Sequence, residues 1–162
     1  MQRTGPPGTG PAGRADEHVS GYVPPVLPLE TDETAGWFEG ARAGELRVQT
    51  CLSCGRRRHP PCPVCPWCHS RARGWRAVSG LGRVWSFVVP HPPLLPGFTE
   101  LAPYNVVIVE LDEDPTIRMA GNLVTAVGAA PTATDIEIGE PVRAVFHHVE
   151  DVGFLQWARS TG

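Results

Sequence analysis

Two C-x-x-C pairs, Cys51-Leu-Ser-Cys54 and Cys65-Pro-Trp-Cys68, constrain this chain more than any other feature. Each pair makes a tight turn that aims two thiolates at one point. Together the two turns supply the four soft ligands of a tetrahedral zinc site. Gly55 after the first pair lets the backbone turn so that N–H groups face sulfur; His69 stands where a second Gly is usual. All-cysteine coordination with no open position predicts a structural Zn2+ and not a hydrolytic one. Cys62-Pro-Val-Cys65 is a further C-x-x-C. Ribbon spacing favours Cys65 with Cys68, which leaves Cys62 a spare thiol, packed and unreactive. In a reducing compartment, cysteines crowded between positions 51 and 68 read as ligands sooner than disulfides.

Around this knuckle the chain is heavily punctuated. Gly and Pro number 18 each in 162 residues, about 22% against roughly 12% on average, which argues against a helix bundle. The alternation of apolar residues predicts strands over 46–50, 75–79, 83–89, 104–111, 116–120, 122–126 and 142–147, with a bend or bulge at Gly121. Such a run without intervening helices predicts a mainly β fold. A five-stranded barrel of the OB type is the economical choice, with an SH3-like barrel as the alternative. A short helix over 31–43, capped by Thr31 or Asp32 and stopped by Gly44, precedes it. Residues 1–28, with 11 Gly or Pro, read as a disordered tail. The expected division is tail 1–28, helix 29–45, zinc ribbon 46–78 and OB-fold 79–157. The Pro-rich loop over 91–103 is long enough to suggest a function.

Charge is segregated. The formal net charge is −3 from 14 Arg, no Lys and 17 acids, yet positions 46–84 hold eight Arg and no acid. This pattern suggests a local anion site, not a surface that coats nucleic acid. Arg56, Arg57 and Arg58 directly follow the first knuckle, where guanidiniums suit phosphate. With Trp67 and Trp75 nearby, two ligands compete: single-stranded nucleic acid, and the nucleotide end of coenzyme A. A plain solvated charge run is the third reading. No nucleophile–base set, P-loop or dinucleotide fingerprint is present. His147 and His148, beside Glu150 and Asp151, are adjacent on a strand and so face opposite ways. No catalytic residue is therefore expected. No apolar run reaches the ~18 residues of a membrane helix, and no secretory signal opens the chain, so a cytoplasmic location is expected.

Read in order, W-F-E-G-x-R-x-G-E-L at 37–46, C-x-x-C-G-R at 51–56, H-P-P at 59–61, C-P-x-C at 65–68, S-G-x-G-x-V-x-S-F at 79–87, V-V-I-V-E-L-D at 106–112 and I-G-E-P-V at 138–142 form one string. It resembles the zinc-ribbon and OB-fold, acyl-CoA-associated family (domain of unknown function thirty-five) over about 31–155. The resemblance implies a helix, a rubredoxin-like zinc ribbon and an OB barrel. It also implies a non-catalytic accessory subunit, because members accompany thiolase-like enzymes: thiolases, acyltransferases and aldolases that cleave steroid side chains. The subunit braces its partner and helps form the acyl-CoA site. Some members are fused to a hydratase-like domain, which this chain is expected to lack. On this reading Trp37, Phe38 and the barrel face meet the partner, in a heterotetramer by analogy. Arg56, Arg57 and Arg58 contact the CoA phosphates. The rival reading is an OB module for single-stranded nucleic acid.

Overall fold

In the computed structural model, Pro24 and residues 26–161 are described. The expected tail over 1–28 therefore lies almost wholly outside the described residues. Two β units follow a short α-helix. Helix α1 spans Ala35–Arg42, inside the expected range, but its start differs. Thr34 is the N-cap and makes no side-chain cap bond. Thr31 instead closes a turn in which its carbonyl accepts the Thr34 N–H at 2.9 Å.

The first unit is a three-stranded sheet in the order β2-β1-β3, from β1 (Arg47–Cys51), β2 (Arg57–Arg58) and β3 (Arg73–Ala77). Both pairings are antiparallel, with Gln49 opposite Arg58 and Trp75, and Thr50 opposite Arg57 and Gly74. The second unit is a closed barrel of β4 (Leu81–Val88), β5 (Val106–Leu111), β6 (Asp114–Val124), β7 (Pro141–Val149) and β8 (Val152–Arg159), in the order β4-β5-β6-β8-β7. All barrel pairings are antiparallel except β6 with β8, and β7 closes on β4 through Leu81–Arg83. The five strands and this order make the barrel an OB-fold.

Alternation holds best on β5, where Val107, Val109 and Leu111 are buried and the residues between are half-buried. These meet Val84, Ile117, Met119, Leu123, Val142 and Trp157 in one core. Leu46 and Val48 belong to the same cluster, so the root of the ribbon is packed into the barrel.

Two expectations change in the barrel. The pieces over 116–120 and 122–126 are one continuous strand, β6. Gly121 carries no bulge, since it stays in register opposite Val107, and it is a close approach: a Cβ there would lie 2.7 Å from the Trp157 ring. The final strand β8 does not stand out in the sequence, because its alternation is weak; it pairs antiparallel with its hairpin neighbour β7 and parallel with β6. Asp112 and Glu113 form the tight turn between β5 and β6, and its tip is tied to the rest of the molecule. Glu113 Oε1 accepts the Ser79 N–H at 2.8 Å, and a Glu113 carboxylate oxygen lies 3.9 Å from Arg57 Nη1. No helix among the described residues is long and apolar enough to cross a membrane.

Candidate functional site

The ribbon sheet holds two turns at one end, and each ends in a left-handed residue. Gly55 has φ 73° and its N–H bonds the Cys51 carbonyl at 2.9 Å; His69 has φ 59° and its N–H bonds the Cys65 carbonyl at 2.9 Å. The two knuckles thus share one backbone pattern. His69 bears a steric cost of roughly 1 kcal/mol in the left-handed region that Gly escapes.

The sulfurs of Cys51, Cys54, Cys65 and Cys68 all lie within 4.8 Å of one another. Cys51 and Cys68 are 3.5 Å apart, and Cys54 and Cys65 are 3.7 Å apart. A tetrahedron with Zn–S of about 2.3 Å has edges near 3.8 Å. The donor set therefore fits a zinc ion, and all four positions are cysteine sulfurs. The electrostatics agree. Cys51 is drawn down to about 6, chiefly by the Cys54 N–H and with the Ser53 N–H helping. Cys68 accepts the Ser70 N–H, which lowers it, but burial and the three facing sulfurs push it up to about 12. Thiolates crowded in this way need a cation between them. Bound here, zinc would fix the ribbon and leave no position for water, which makes it structural.

Cys62 is outside the cluster, as the spacing predicted. Its Sγ donates to the Val64 carbonyl at 3.1 Å, and its N–H donates to Gln49 Oε1 at 3.0 Å.

The structure separates the three adjacent arginines. Arg58 is buried at 4% exposure; its Nε donates to Gln49 Oε1 and its Nη2 to the Cys62 carbonyl at 3.3 Å. It fastens the ribbon from inside and is not offered to an external phosphate. The strand pleat explains this, because successive residues of β2 face opposite sides. Arg56 and Arg57 line an open cleft of about 610 Å³ between ribbon and barrel, together with Thr50, Trp67, Arg76 and Asp114. The Arg56 guanidinium sits 5.3 Å from the centre of the half-exposed Trp67 ring. Arg76 belongs to the basic stretch over 46–84 but nothing in the sequence singles it out there, and Thr50 has no signal beyond its strand register.

Trp37 and Phe38 pack within the chain. Their rings meet edge to face at 5.2 Å, Phe38 is 7% exposed, and Trp37 meets Phe146 of β7 edge to face at 6.4 Å. This is the intramolecular outcome that two aromatics on a terminal helix allow. Exposed apolar surface lies elsewhere, at Leu29, Leu95 and Val26. Beside it, Val26, Phe98, Tyr104 and Phe154 line an apolar groove of about 450 Å³, to which the 91–103 loop contributes Phe98. The histidines lie as the pleat requires: His147 is buried, and His148 is exposed with Nε2 3.2 Å from the Ala41 carbonyl. Among the described residues, the cysteine quartet is the one group of three or more His, Cys, Asp or Glu able to share a metal ion.

A structural zinc ribbon joined to an OB barrel defines a class, and similarity to known proteins gives the family. The description "ChsH2, rubredoxin-like zinc ribbon domain" matches residues 38–72, and "ChsH2, C-terminal OB-fold domain" matches 75–147. The chain belongs to the ChsH2 (DUF35) family. One relative is the 3-oxo-4,17-pregnadiene-20-carboxyl-CoA hydratase alpha subunit of Mycobacterium tuberculosis, 38% identical over 82% of this chain and 39% of its own length. Another is a DUF35 domain-containing scaffold protein of Methanothermobacter thermautotrophicus, 32% identical over 77% of this chain and 89% of its own. Among solved structures, a chain of the Ltp2-ChsH2(DUF35) aldolase superposes with a TM-score of 0.69 at 34% identity, covering 82% of this chain and 98% of that one. The chain spans only 33% and 39% of the two hydratase alpha subunits that it matches.

Proposed function

We propose that this chain is a non-catalytic accessory subunit. It binds and stabilises a thiolase-like enzyme that acts on an acyl-CoA, and it helps form that enzyme's acyl-CoA site. The observation that carries the reading is the superposition on nearly the whole of a chain from an aldolase assembly, at 34% identity. A relative described as a scaffold protein supports the non-catalytic role. The relative that acts on a steroid-derived acyl-CoA makes side-chain degradation the leading context.

The chain's own chemistry suits a brace. Its zinc ligands form a closed set, so the metal would hold shape and the partner would make or break the carbon–carbon bond. The apolar surface at Val26, Leu29 and Leu95, beside the Phe98–Tyr104 groove, is the proposed contact with the partner. Arg56 and Arg57 are the proposed contacts with the CoA phosphates, while Arg58 ties β2 to Gln49 and the Cys62 carbonyl. The assembly is proposed to be a cytoplasmic heterotetramer built on a dimeric partner.

Affinity capture of the tagged chain from its native lysate, with mass spectrometry and light scattering, tests this. A stoichiometric thiolase-like protein in a two-plus-two complex is expected. Nucleic acid as the sole companion would replace this reading with the single-stranded nucleic-acid module. Turnover of an acyl-CoA by the isolated chain would remove the word accessory.

A further inference from the structure

We infer that the cleft between ribbon and barrel is a nucleoside-phosphate site, in which Arg56, Arg57, Arg76 and the Thr50 hydroxyl hold the phosphate and Trp67 carries the base. It rests on the accessory-subunit reading only for the source of the ligand.

The strand register brings the phosphate ligands to one face. Thr50 lies opposite Arg57 on β2 and opposite Gly74 on β3. Directly opposed residues in an antiparallel pair share a face, as do residues two apart on one strand. Arg57, Thr50 and Arg76 therefore line the same side of the sheet, and Gly74 puts no side chain between the last two. Neither Arg56 nor Arg76 has an ion pair among the described residues; Arg57 has only the distant Glu113. Three guanidiniums stand against one lining carboxylate, Asp114.

Thr50 supplies an independent sign. The residue is 3% exposed and lines the cleft, yet its Oγ1 has no hydrogen-bond partner among the described residues. A buried hydroxyl left without a partner is destabilising, and a ligand oxygen would satisfy it. Phosphate suits the set better than carboxylate, since it has enough acceptor oxygens for several forks and a hydroxyl at once. The half-exposed indole of Trp67, with the Arg56 guanidinium beside its ring, gives a planar group somewhere to stack. The volume of about 610 Å³ falls within the ~300–1,000 Å³ of small-molecule sites.

The far wall selects a terminal ligand over a polymer. Asp114 lines the barrel side, and Glu113 precedes it at the same hairpin. A continuing phosphate backbone would run into this acidic edge. The nucleotide end of coenzyme A and a free nucleotide share the required chemistry.

The test is titration of the zinc-loaded full chain with adenosine 3′,5′-bisphosphate at low salt, followed by calorimetry and tryptophan fluorescence. Saturable binding is expected. Arg56→Ala and Arg76→Ala should each weaken it at least about tenfold. Thr50→Val should weaken it several-fold, and Arg143→Ala on β7 should leave it unchanged. Trp67→Ala should weaken the bisphosphate but not inorganic phosphate. Zinc content and thermal midpoint are read on the same samples, and the exposed Arg56 and Arg76 variants decide the outcome if Thr50→Val fails to fold. Coenzyme A binding as tightly as the bisphosphate, and more tightly than AMP, assigns the thioester's nucleotide end; preference for ATP or ADP assigns a free nucleotide. No saturation at millimolar bisphosphate, or unchanged affinity in both Arg variants, overturns the site. So does an oligonucleotide that outcompetes the bisphosphate with a steep salt dependence. Partner capture repeated with Arg76→Ala separates the two readings. A captured partner without nucleotide binding by wild type defeats the site alone, and nucleotide binding without any thiolase-like partner defeats the accessory reading alone.

Discussion

The ribbon and the barrel are both small β units, but they are held together by different means. The barrel closes around Val84, Val107, Val109, Leu111, Met119, Leu123 and Trp157. The ribbon strand β3 is half-buried or exposed throughout, and β2 is only two residues long. Too little apolar surface is buried there to offset the entropy of ordering the chain. The metal must supply the difference, with the buried Arg58–Gln49–Cys62 network fixing the loop between the knuckles. One unit is stable because of what it excludes from water, the other because of what it binds. The join is not clean, since Leu46 and Val48 from the ribbon's root sit in the barrel's core.

That contrast can be broken in decreasing steps. Removing zinc with a chelator, or introducing Cys54→Ser, has the largest expected effect, because structural zinc contributes an apparent ~10–16 kcal/mol in small zinc domains. Hydrogen exchange should show β2, β3 and the distal end of β1 losing protection while β5 and β7 keep theirs. Uniform loss across both units would mean that they fold as one. Trp157→Ala attacks the other unit. The side chain is fully buried, and its loss should cost about 3–5 kcal/mol, read as a lower urea midpoint. Retention of zinc by this variant at low urea would sharpen the division; release of zinc would erase it.

Asn105→Ala is the next smaller step. Asn105 is buried, donates to the carbonyls of Leu123, Pro131 and Ala133 at 2.8–3.1 Å, and accepts the Leu123 N–H at 2.7 Å. Stranding those groups should cost about 2–3 kcal/mol. The exchange of β6 and of the loop at 131–133 should quicken first, with the ribbon unaffected. His69→Gly should act only on the ribbon and in the opposite direction. Relief of the left-handed backbone, less the greater entropy of Gly, leaves a gain of about 0.5 kcal/mol. Competition for zinc against a chelator reads it, and a weaker ribbon would mean that the His69 ring makes a compensating contact.

The cysteine quartet is legible in the sequence. The cysteine ligands follow from spacing within eighteen residues, because a C-x-x-C turn is a local event that needs little help from the rest of the chain. Strands β4, β5 and β7 announced themselves through alternation. Strand β8 did not: it forms a local hairpin with β7, but its burial does not alternate cleanly, and its parallel pairing with β6 is long-range. Asn105 looked like any polar residue at a strand entrance, and its role depends on carbonyls up to 28 residues away.

By itself, the sequence determined the zinc knuckles, the mainly β character and the family, all of which are written in short spacings and ordered motifs. Only the tertiary structure decided what the basic run does. Arg56, Arg57 and Arg58 are equivalent as letters, but the pleat of β2 turns Arg58 inward to Gln49 and Arg57 to the cleft, while Arg56, ahead of the strand, reaches the cleft from the knuckle turn. Pairing across β1 then adds Arg76 and a buried Thr50 hydroxyl from distant positions. Side-chain direction and strand register are properties of the paired sheet, and no single segment of the chain contains them.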